Sequence, residues 1–171
     1  MKLDALLQLT EAFDQLYQFR TIKANGIEEL HEFDTDFGTV QVIIEIDDYH
    51  IDENSNSYTR VDFGWKDAPT DMSVTGRFAK KNTNPTRLFG TIMEIMKHSP
   101  LIAAESKYYC TGANKNMKRA LVEFKNLESS RASLYKRLAT KYASRVEHIQ
   151  QSHGNGNNDT NYSAIIMYWP A

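Results

Sequence analysis

A β-branched run with alternating side chains, which follows another run across a short turn, dominates the first third of the sequence. Residues 39–47, Thr-Val-Gln-Val-Ile-Ile-Glu-Ile-Asp, alternate polar and apolar side chains, and the run 27–33 precedes them across the turn 34–38, Asp-Thr-Asp-Phe-Gly. A period of two is typical of a strand with one covered face, and Asp and Gly in a short connection favour a hairpin. The sequence therefore predicts an antiparallel sheet in the N-terminal half.

Further strands are predicted after this hairpin, and a helix is predicted before it. Residues 58–65 alternate again and predict a third strand, while 72–78 predict a short fourth strand. Leucine and aromatic residues at helical spacing predict an amphipathic helix over 3–19, which Asn25-Gly26 ends. We thus expect a helix and turn over residues 1–26 and antiparallel strands over 27–78.

The second half begins with a helix start at Asn84-Pro85, an N-cap followed by proline at the first helical position. Ser99-Pro100 is expected to end this helix, and a strand is expected within 101–111. Residues 117–142 read as mostly helical with a break near 126–130, residues 150–160 as a mobile Gly/Asn loop, and residues 162–169 as a final strand. We thus expect helix, strand, helix and strand over residues 79–171. The whole chain is then predicted to be a single α+β domain with a mixed, mostly antiparallel central sheet and flanking helices.

Length and composition narrow the class of protein. The chain has 171 residues, of which 41% are apolar and 25% charged, as in one globular domain. No run approaches the ~18 apolar residues that span a bilayer, and the first residues do not resemble a signal peptide. Cys110 is the single cysteine, so an internal disulfide and a cysteine-rich zinc site are excluded. We expect a reducing compartment or the inside of a particle.

Charge is divided unevenly between the two halves. Residues 1–75 hold 5 Lys/Arg and 16 Asp/Glu, a net charge of −11, and residues 76–171 hold 15 Lys/Arg and 6 Asp/Glu, a net charge of +9. Such halves can attract each other within one fold or between copies, or the basic half can contact a polyanion.

The order of elements resembles the GNAT acetyltransferase superfamily. The segment 129–138, Ser-Ser-Arg-Ala-Ser-Leu-Tyr-Lys-Arg-Leu, is similar to that family's late helix, and 163–169 to its last strand. Thr75-Gly76, the run 87–92 and the run 129–135 together also resemble a pattern of small phage proteins. The resemblance covers residues 39–169 and implies a GNAT-like fold.

For the enzymes of that family, the resemblance implies acetyl-CoA as cofactor and a specific set of site residues. Tyr135 would protonate the departing thiolate, and Glu45 or Asp62 would take the amine proton. The phosphates would be contacted by three basic residues, namely Lys80, Lys81 and Arg87.

One departure from the family pattern changes the expected function. Catalytic members place a glycine-rich loop at the start of the central helix, where backbone N–H groups receive a pyrophosphate. Here residues 78–87 contain no glycine, and Pro85 lacks an N–H group. We therefore expect a scaffold without a cofactor, which acts through its surface rather than by acyl transfer.

Several candidate residues have structural alternatives. Tyr135 also fits a packing role in a helix, and a single strand carboxylate such as Glu45 or Asp62 also fits a solvated position. The five histidines are scattered without a third ligand in register, so no metal site is expected. Cys110 is expected to be a buried free thiol.

The late basic segment is the candidate nucleic-acid surface. Lysines, arginines and tyrosines alternate there, as they do in proteins that bind single strands, although a solvated helix face has the same composition. The residues of this candidate surface are Lys118, Arg119, Arg131, Lys136, Arg137 and Lys141.

These patterns favour a non-enzymatic, phage-type protein that acts through protein–protein contacts. It would be a virion or assembly component, or a binder of a host factor, in the host cytoplasm or the virion, with self-association or a protein partner and no membrane. An acyl-CoA-dependent N-acetyltransferase is the first alternative, and a nucleic-acid-binding accessory protein is the second.

Overall fold

Seven strands form one sheet in the computed structural model, which describes residues 16–47, 58–67, 84–125, 137–153 and 160–171. The strands are β1 (Phe19–Ala24), β2 (Glu28–Thr35), β3 (Gly38–Asp47), β4 (Tyr58–Trp65), β5 (Met117–Lys125), β6 (Arg145–His153) and β7 (Thr160–Pro170). The helices are α1 (Pro85–His98), α2 (Pro100–Tyr109) and α3 (residues 137–142), and a 3-10 turn spans Gly112–Asn114. The spatial order is β1-β2-β3-β4-β5-β7-β6, which makes the fold a mixed α/β sheet with mostly antiparallel pairing.

The predicted hairpin is confirmed as β2 and β3, which pair antiparallel from Glu28↔Glu45 to Thr35↔Gly38. Gly38 closes the turn with a φ of 137°, a conformation that L side chains rarely adopt. The Thr35 hydroxyl donates to the Gly38 carbonyl at 2.9 Å and fixes the turn from within. The third predicted strand is confirmed as β4, which pairs antiparallel with β3.

A single parallel junction joins the two parts of the sheet. β4 pairs with β5 in parallel through only two residue pairs, Arg60↔Leu121 and Val61↔Val122. On the far side of this junction β5, β7 and β6 pair antiparallel, with β7 between the other two strands. The chain therefore builds two antiparallel parts that meet at one short contact.

The predicted start of α1 is confirmed in detail. The side chain of Asn84 accepts hydrogen bonds from the N–H groups of Thr86 and Arg87, and Pro85 occupies the first turn. The helix ends at His98, before Ser99, as predicted.

The prediction of a strand within residues 101–111 is wrong, because α2 occupies Pro100–Tyr109. Ser99 ends one helix and caps the next, since its hydroxyl accepts from the N–H of Ile102 at 3.1 Å. The Ser-Pro start of α2 therefore outweighs the strand preference of the two tyrosines.

The prediction of helix over residues 117–125 is also wrong, because these residues form β5. β5 is hydrogen-bonded on one edge to β4 and on the other to β7, both distant in sequence, and this pairing overrides its local helix preference. Residues 150–153, expected in a loop, belong to β6. Residues 16–18, expected in the N-terminal helix, are not helical, and residues 19–24, expected at the helix end and before the turn, form β1.

Other predictions fall outside the described residues. These are the helix over residues 3–15, the strand over 72–78, the break near 126–130 and residues 154–159 of the expected loop. The final predicted strand, 162–169, is confirmed within β7.

The helices pack on the sheet through one main core. The inward side chains of α1 join alternating side chains of β3, β4, β5 and β7. A smaller cluster lies on the opposite face of the sheet and consists of Tyr58, Leu121, Ile166 and Tyr168, with Met117 against it. β7 therefore contributes buried residues to both clusters.

Candidate functional site at the β1 edge

Within the described residues β1 is an edge strand, paired with β2 on one side only. All six of its residues are exposed, and the register shifts between Thr21 and Lys23, which leaves Ile22 at a bulge. An edge strand presents unpaired backbone groups to a potential partner, and a bulge limits how far such pairing can extend.

Large apolar side chains are exposed along this edge. Among the described residues, five of the six exposed large apolar side chains lie between Leu16 and Phe37, and the sixth is Tyr108. We define the edge patch as the four that flank or belong to β1, which are Leu16, Phe19, Ile22 and Ile27. Ile22 is 49% and Ile27 is 67% exposed. A group of exposed apolar residues on one edge is a candidate interaction surface.

Ionic contacts fasten β1 to the rest of the sheet. The Arg20 guanidinium binds Asp34 at 2.8 Å and Glu32 at 3.0 Å, and Lys23 Nζ lies 2.5 Å from Glu28. The two basic side chains of β1 are thus paired with carboxylates of β2.

Glu32 is the centre of this polar network. Its side chain is buried and accepts from Gln41 at 2.9 Å, from Lys66 at 2.9 Å and from Arg20. The hydrogen bond from Gln41, followed by that from Lys66, holds the pKa of Glu32 below its ordinary value of 4.5. The hydrogen bond from Arg20, with that from Thr39, lowers the pKa of Asp34 in the same way. Both groups are therefore stabilised as carboxylates in the folded protein.

A second network, which the sequence did not predict, links β1 to α2 through buried side chains. The Thr21 hydroxyl lies 3.0 Å from His31 Nδ1, and His31 Nε2 lies 3.0 Å from Glu29 Oε2. The other oxygen of Glu29 accepts from the N–H of Leu101 at 2.8 Å. The i, i+2 spacing of Glu29 and His31 places them on one strand face, but their burial depends on α2.

The uneven charge of the sequence becomes a charge difference across the sheet. Residues 16–47 and 58–67, which we call the acidic end, hold four Lys/Arg and nine Asp/Glu, a net charge of −5. Residues 110–125, 137–153 and 160–171, the basic end, hold seven Lys/Arg and two Asp/Glu, a net charge of +5. The open edges β1 and β6 thus belong to ends of opposite charge.

The first turn of α1 is occupied by its own cap. The Asn84 side chain accepts from two N–H groups at 3.1 Å, the Asn84 carbonyl accepts from the N–H of Leu88 at 3.0 Å, and Pro85 has no N–H. No backbone donor of this turn is left to receive an anion.

The structure brings the two candidate catalytic bases together around one arginine. Glu45 forms an ion pair with Arg60, and Arg60 Nε lies 3.0 Å from Asp62. Both carboxylates are partly exposed and engaged with a guanidinium, an arrangement that stabilises paired strands.

Arg87 is the only one of the three predicted phosphate contacts that falls within the described residues. Its guanidinium lies 3.9 Å from the centre of the Tyr17 ring. The other two, Lys80 and Lys81, lie outside the described residues, as does Tyr135.

The candidate nucleic-acid residues do not share one helix. Lys118 and Arg119 lie on β5, where Lys118 Nζ donates to the Lys97 carbonyl and Arg119 is buried against the Tyr58 and Tyr109 rings. Arg137 and Lys141 lie exposed on α3. Arg131 and Lys136 fall outside the described residues.

Cys110 is buried, as predicted, and burial raises the pKa of its thiol. Within the described residues no group of three potential metal ligands occurs. In that same part of the chain no helix is long and apolar enough to cross a membrane.

Comparison with known proteins adds no relative. No family model matches this chain. No curated protein sequence and no solved structure matches it. The functional conclusion therefore depends on the geometry of the chain itself.

Proposed function

We propose that this chain is a non-enzymatic protein on a GNAT-like scaffold that acts through protein–protein contacts at the β1 edge. The observation that carries the proposal is the edge patch, in which apolar side chains lie exposed on an open edge strand. Exposed apolar groups beside unpaired backbone groups are recognised by another protein chain rather than by a small polar substrate.

The topology supports the scaffold part of this proposal. In the described part of the chain, four antiparallel strands precede α1, and β5 then joins β4 in parallel through two residue pairs. This order agrees with the sequence resemblance to the acetyltransferase superfamily, in which a helix follows the strands of an antiparallel sheet.

The start of α1 supports surface contact rather than acyl transfer. A coenzyme pyrophosphate is bound by free N–H groups at a helix start, whereas here the cap of Asn84 already uses them. Glu45 and Asp62 are engaged with Arg60 and would have to leave it to act as bases.

The partner that charge favours is the basic end of a second copy. The acidic end carries a net charge of −5 and the basic end +5, so a head-to-tail contact places opposite charges together. Such a heterologous contact repeats from copy to copy, which suits an assembly or virion component. The other outcome is a host or phage protein that binds the same patch.

Light scattering after size exclusion tests the head-to-tail contact. At low salt we expect a mass above that of one chain, and at high salt a shift toward the monomer, because screening weakens charge attraction. Ile27→Ser is expected to reduce association at low salt. Tyr108→Ser, which removes an even more exposed large side chain outside the patch, is the control and is expected to behave like the wild type.

A monomer at every salt concentration would contradict the copy-to-copy contact. In that case, retention of one defined host or phage protein by the wild type and by Tyr108→Ser, but not by Ile27→Ser, would show the other partner. Equal retention by all three chains would overturn the role of the edge patch.

Titration with acetyl-CoA separates this proposal from the enzymatic alternative. Because a ligand that binds only the folded state raises the unfolding temperature, we expect no saturable shift at millimolar acetyl-CoA. A saturable shift would support the acetyltransferase instead.

The nucleic-acid alternative has a different signature. It requires retention of single-stranded DNA or RNA that falls steeply with salt. Since Arg119 is buried and Lys118 is bonded to the α1 end, we expect no such retention.

A further inference from the structure

A cleft lies where the start of β1 meets the first turn of α1, and its wall shares Leu16 and Phe19 with the edge patch. It has a volume of about 880 Å³, and its wall includes Tyr17, Phe19, Arg20, Asp34 and Arg87. A volume of this size is in the range of small-molecule sites.

Arg87 is a residue of this cleft whose hydrogen bonding is incomplete. Its guanidinium is stacked on Tyr17, and its Nε is shielded from solvent without a hydrogen-bond partner. Among the described residues Arg87 has no acidic partner. The shielded Nε is closed to an entering ligand, but Arg87 lines the cleft and its terminal nitrogens have no acidic partner among these residues. These nitrogens can therefore donate to an anion that enters the cleft.

The charge of the cleft wall favours an anion. Two arginines and one aspartate line it, which leaves one positive charge in excess. Arg20 is half-exposed and uses its terminal nitrogens on Asp34 and Glu32, while a guanidinium carries five N–H groups in all. Arg20 therefore retains donors for a further acceptor beside Arg87.

The other residues of the cleft wall favour a ligand with an apolar or aromatic part. Leu16, Tyr17 and Phe19 supply apolar and aromatic surface next to the two arginines. We propose that this cleft binds a carboxylate or phosphate group that is carried on an apolar or aromatic body, with Arg87 as the principal anion contact. The backbone donors of α1 play no part, because Asn84 occupies them.

Titration of the full chain with benzoate and with phenyl phosphate tests this site. At constant ionic strength we expect a saturable rise in unfolding temperature with at least one of the two probes. Benzyl alcohol, which lacks the anion, is expected to give none, and inorganic phosphate, which lacks the ring, a weaker one. The tighter of the two aromatic probes identifies the anion as carboxylate or phosphate.

Arg87→Met tests the residue assignment, since methionine keeps an apolar stem on Tyr17 and removes the donors. We expect the affinity to fall about tenfold or more, as for the loss of a charge-assisted contact. Arg145→Met is the matched control, because Arg145 lies 4.0 Å over the Tyr168 ring at the other end of the sheet. This variant is expected to bind like the wild type.

Arg87→Lys provides a second variant if methionine impairs folding. Lysine keeps the charge but loses the planar fork, so weaker binding is again expected. The inference is overturned if neither probe gives a saturable shift, or if the Arg87 variants bind as tightly as the wild type. The test measures a shift caused by a small molecule at constant ionic strength, whereas the edge-patch test measures mass or protein retention, so failure of one proposal is distinguishable from failure of the other.

Discussion

β1 and β7 are strands of the same sheet, but different interactions hold each of them in place. β7 lies between β5 and β6, and its residues 165–169 are all buried, alternately in the main core and in the smaller cluster. β1 has one neighbour and no buried residue, and ionic contacts fasten it to β2.

The two strands therefore differ in how much they contribute to the stability of the fold and in how much surface they leave for the proposed contact. Burial of apolar surface contributes the larger share of folding free energy, whereas exposed ion pairs contribute little. We infer that β7 sustains the fold and that β1 is free to vary its surface for a partner. Variants placed at the two strands can break or sharpen this comparison.

The largest effect is expected at Ile166 of β7, which is 2% exposed. Ile166→Ala should lower the free energy of unfolding by about 2–5 kcal/mol, because it leaves a cavity in a packed cluster. Ile22→Ala in β1, where the side chain is exposed, should change it by about 0.5 kcal/mol or less. Chemical denaturation of both variants measures the contrast, and similar losses would contradict it.

A smaller effect on the free energy of unfolding is expected at Glu32, a buried carboxylate that forms ion pairs with both Arg20 and Lys66. Glu32→Gln should cost about 1–3 kcal/mol at neutral pH, since two cations lose a buried charged partner. Glu28→Gln is the matched control, because Glu28 pairs with Lys23 at the surface and should matter little.

The pH dependence of this network has a defined sign. The pKa values of Glu32 and Asp34 lie below their ordinary values of 4.5 and 3.8, so the stabilisation is present above those values. It is lost as the pH falls through the lower pKa values of the folded state. Urea denaturation between pH 6 and the acid limit should therefore show a shallower loss for Glu32→Gln, and an unchanged slope would refute the assignment.

The smallest effect is expected where the two ends meet, at Gly90 of α1. A Cβ added there would lie 2.9 Å from the Tyr142 hydroxyl and 3.1 Å from Leu16 Cδ2. Gly90→Ala should cost about 1 kcal/mol, because this crowding outweighs the helix preference of alanine. In a Tyr142→Phe background the cost should shrink, as the nearest atom is gone. A double-mutant cycle measures this coupling, and additivity would argue against the contact.

Local pattern sufficed for one part of the fold. The alternation of β2, β3 and β4 and the Asn-Pro cap of α1 are properties of adjacent residues, so they could be predicted. β5 and α2 could not, because β5 depends on partners that lie far along the chain and α2 on a cap shared with α1. β1 is short, polar and exposed, and lacks any periodic pattern.

The candidate site was less accessible to sequence reasoning. Arg87 could be chosen from its place at a helix start, but its stacking on Tyr17 requires the return of a segment 70 residues earlier in the chain. The engagement of Glu45 and Asp62 by Arg60 depends on strand register, which residue type does not reveal.

The brief junction between β4 and β5 has a consequence for how the chain reaches its native state. The first four strands follow one another through short-range hairpins, which form within microseconds. β5 must instead wait for about 50 intervening residues, and contacts of such separation form late. We therefore expect the edge of β4 that later pairs with β5 to stay open until β5 has been synthesised, and open strand edges are the sites at which incomplete chains aggregate.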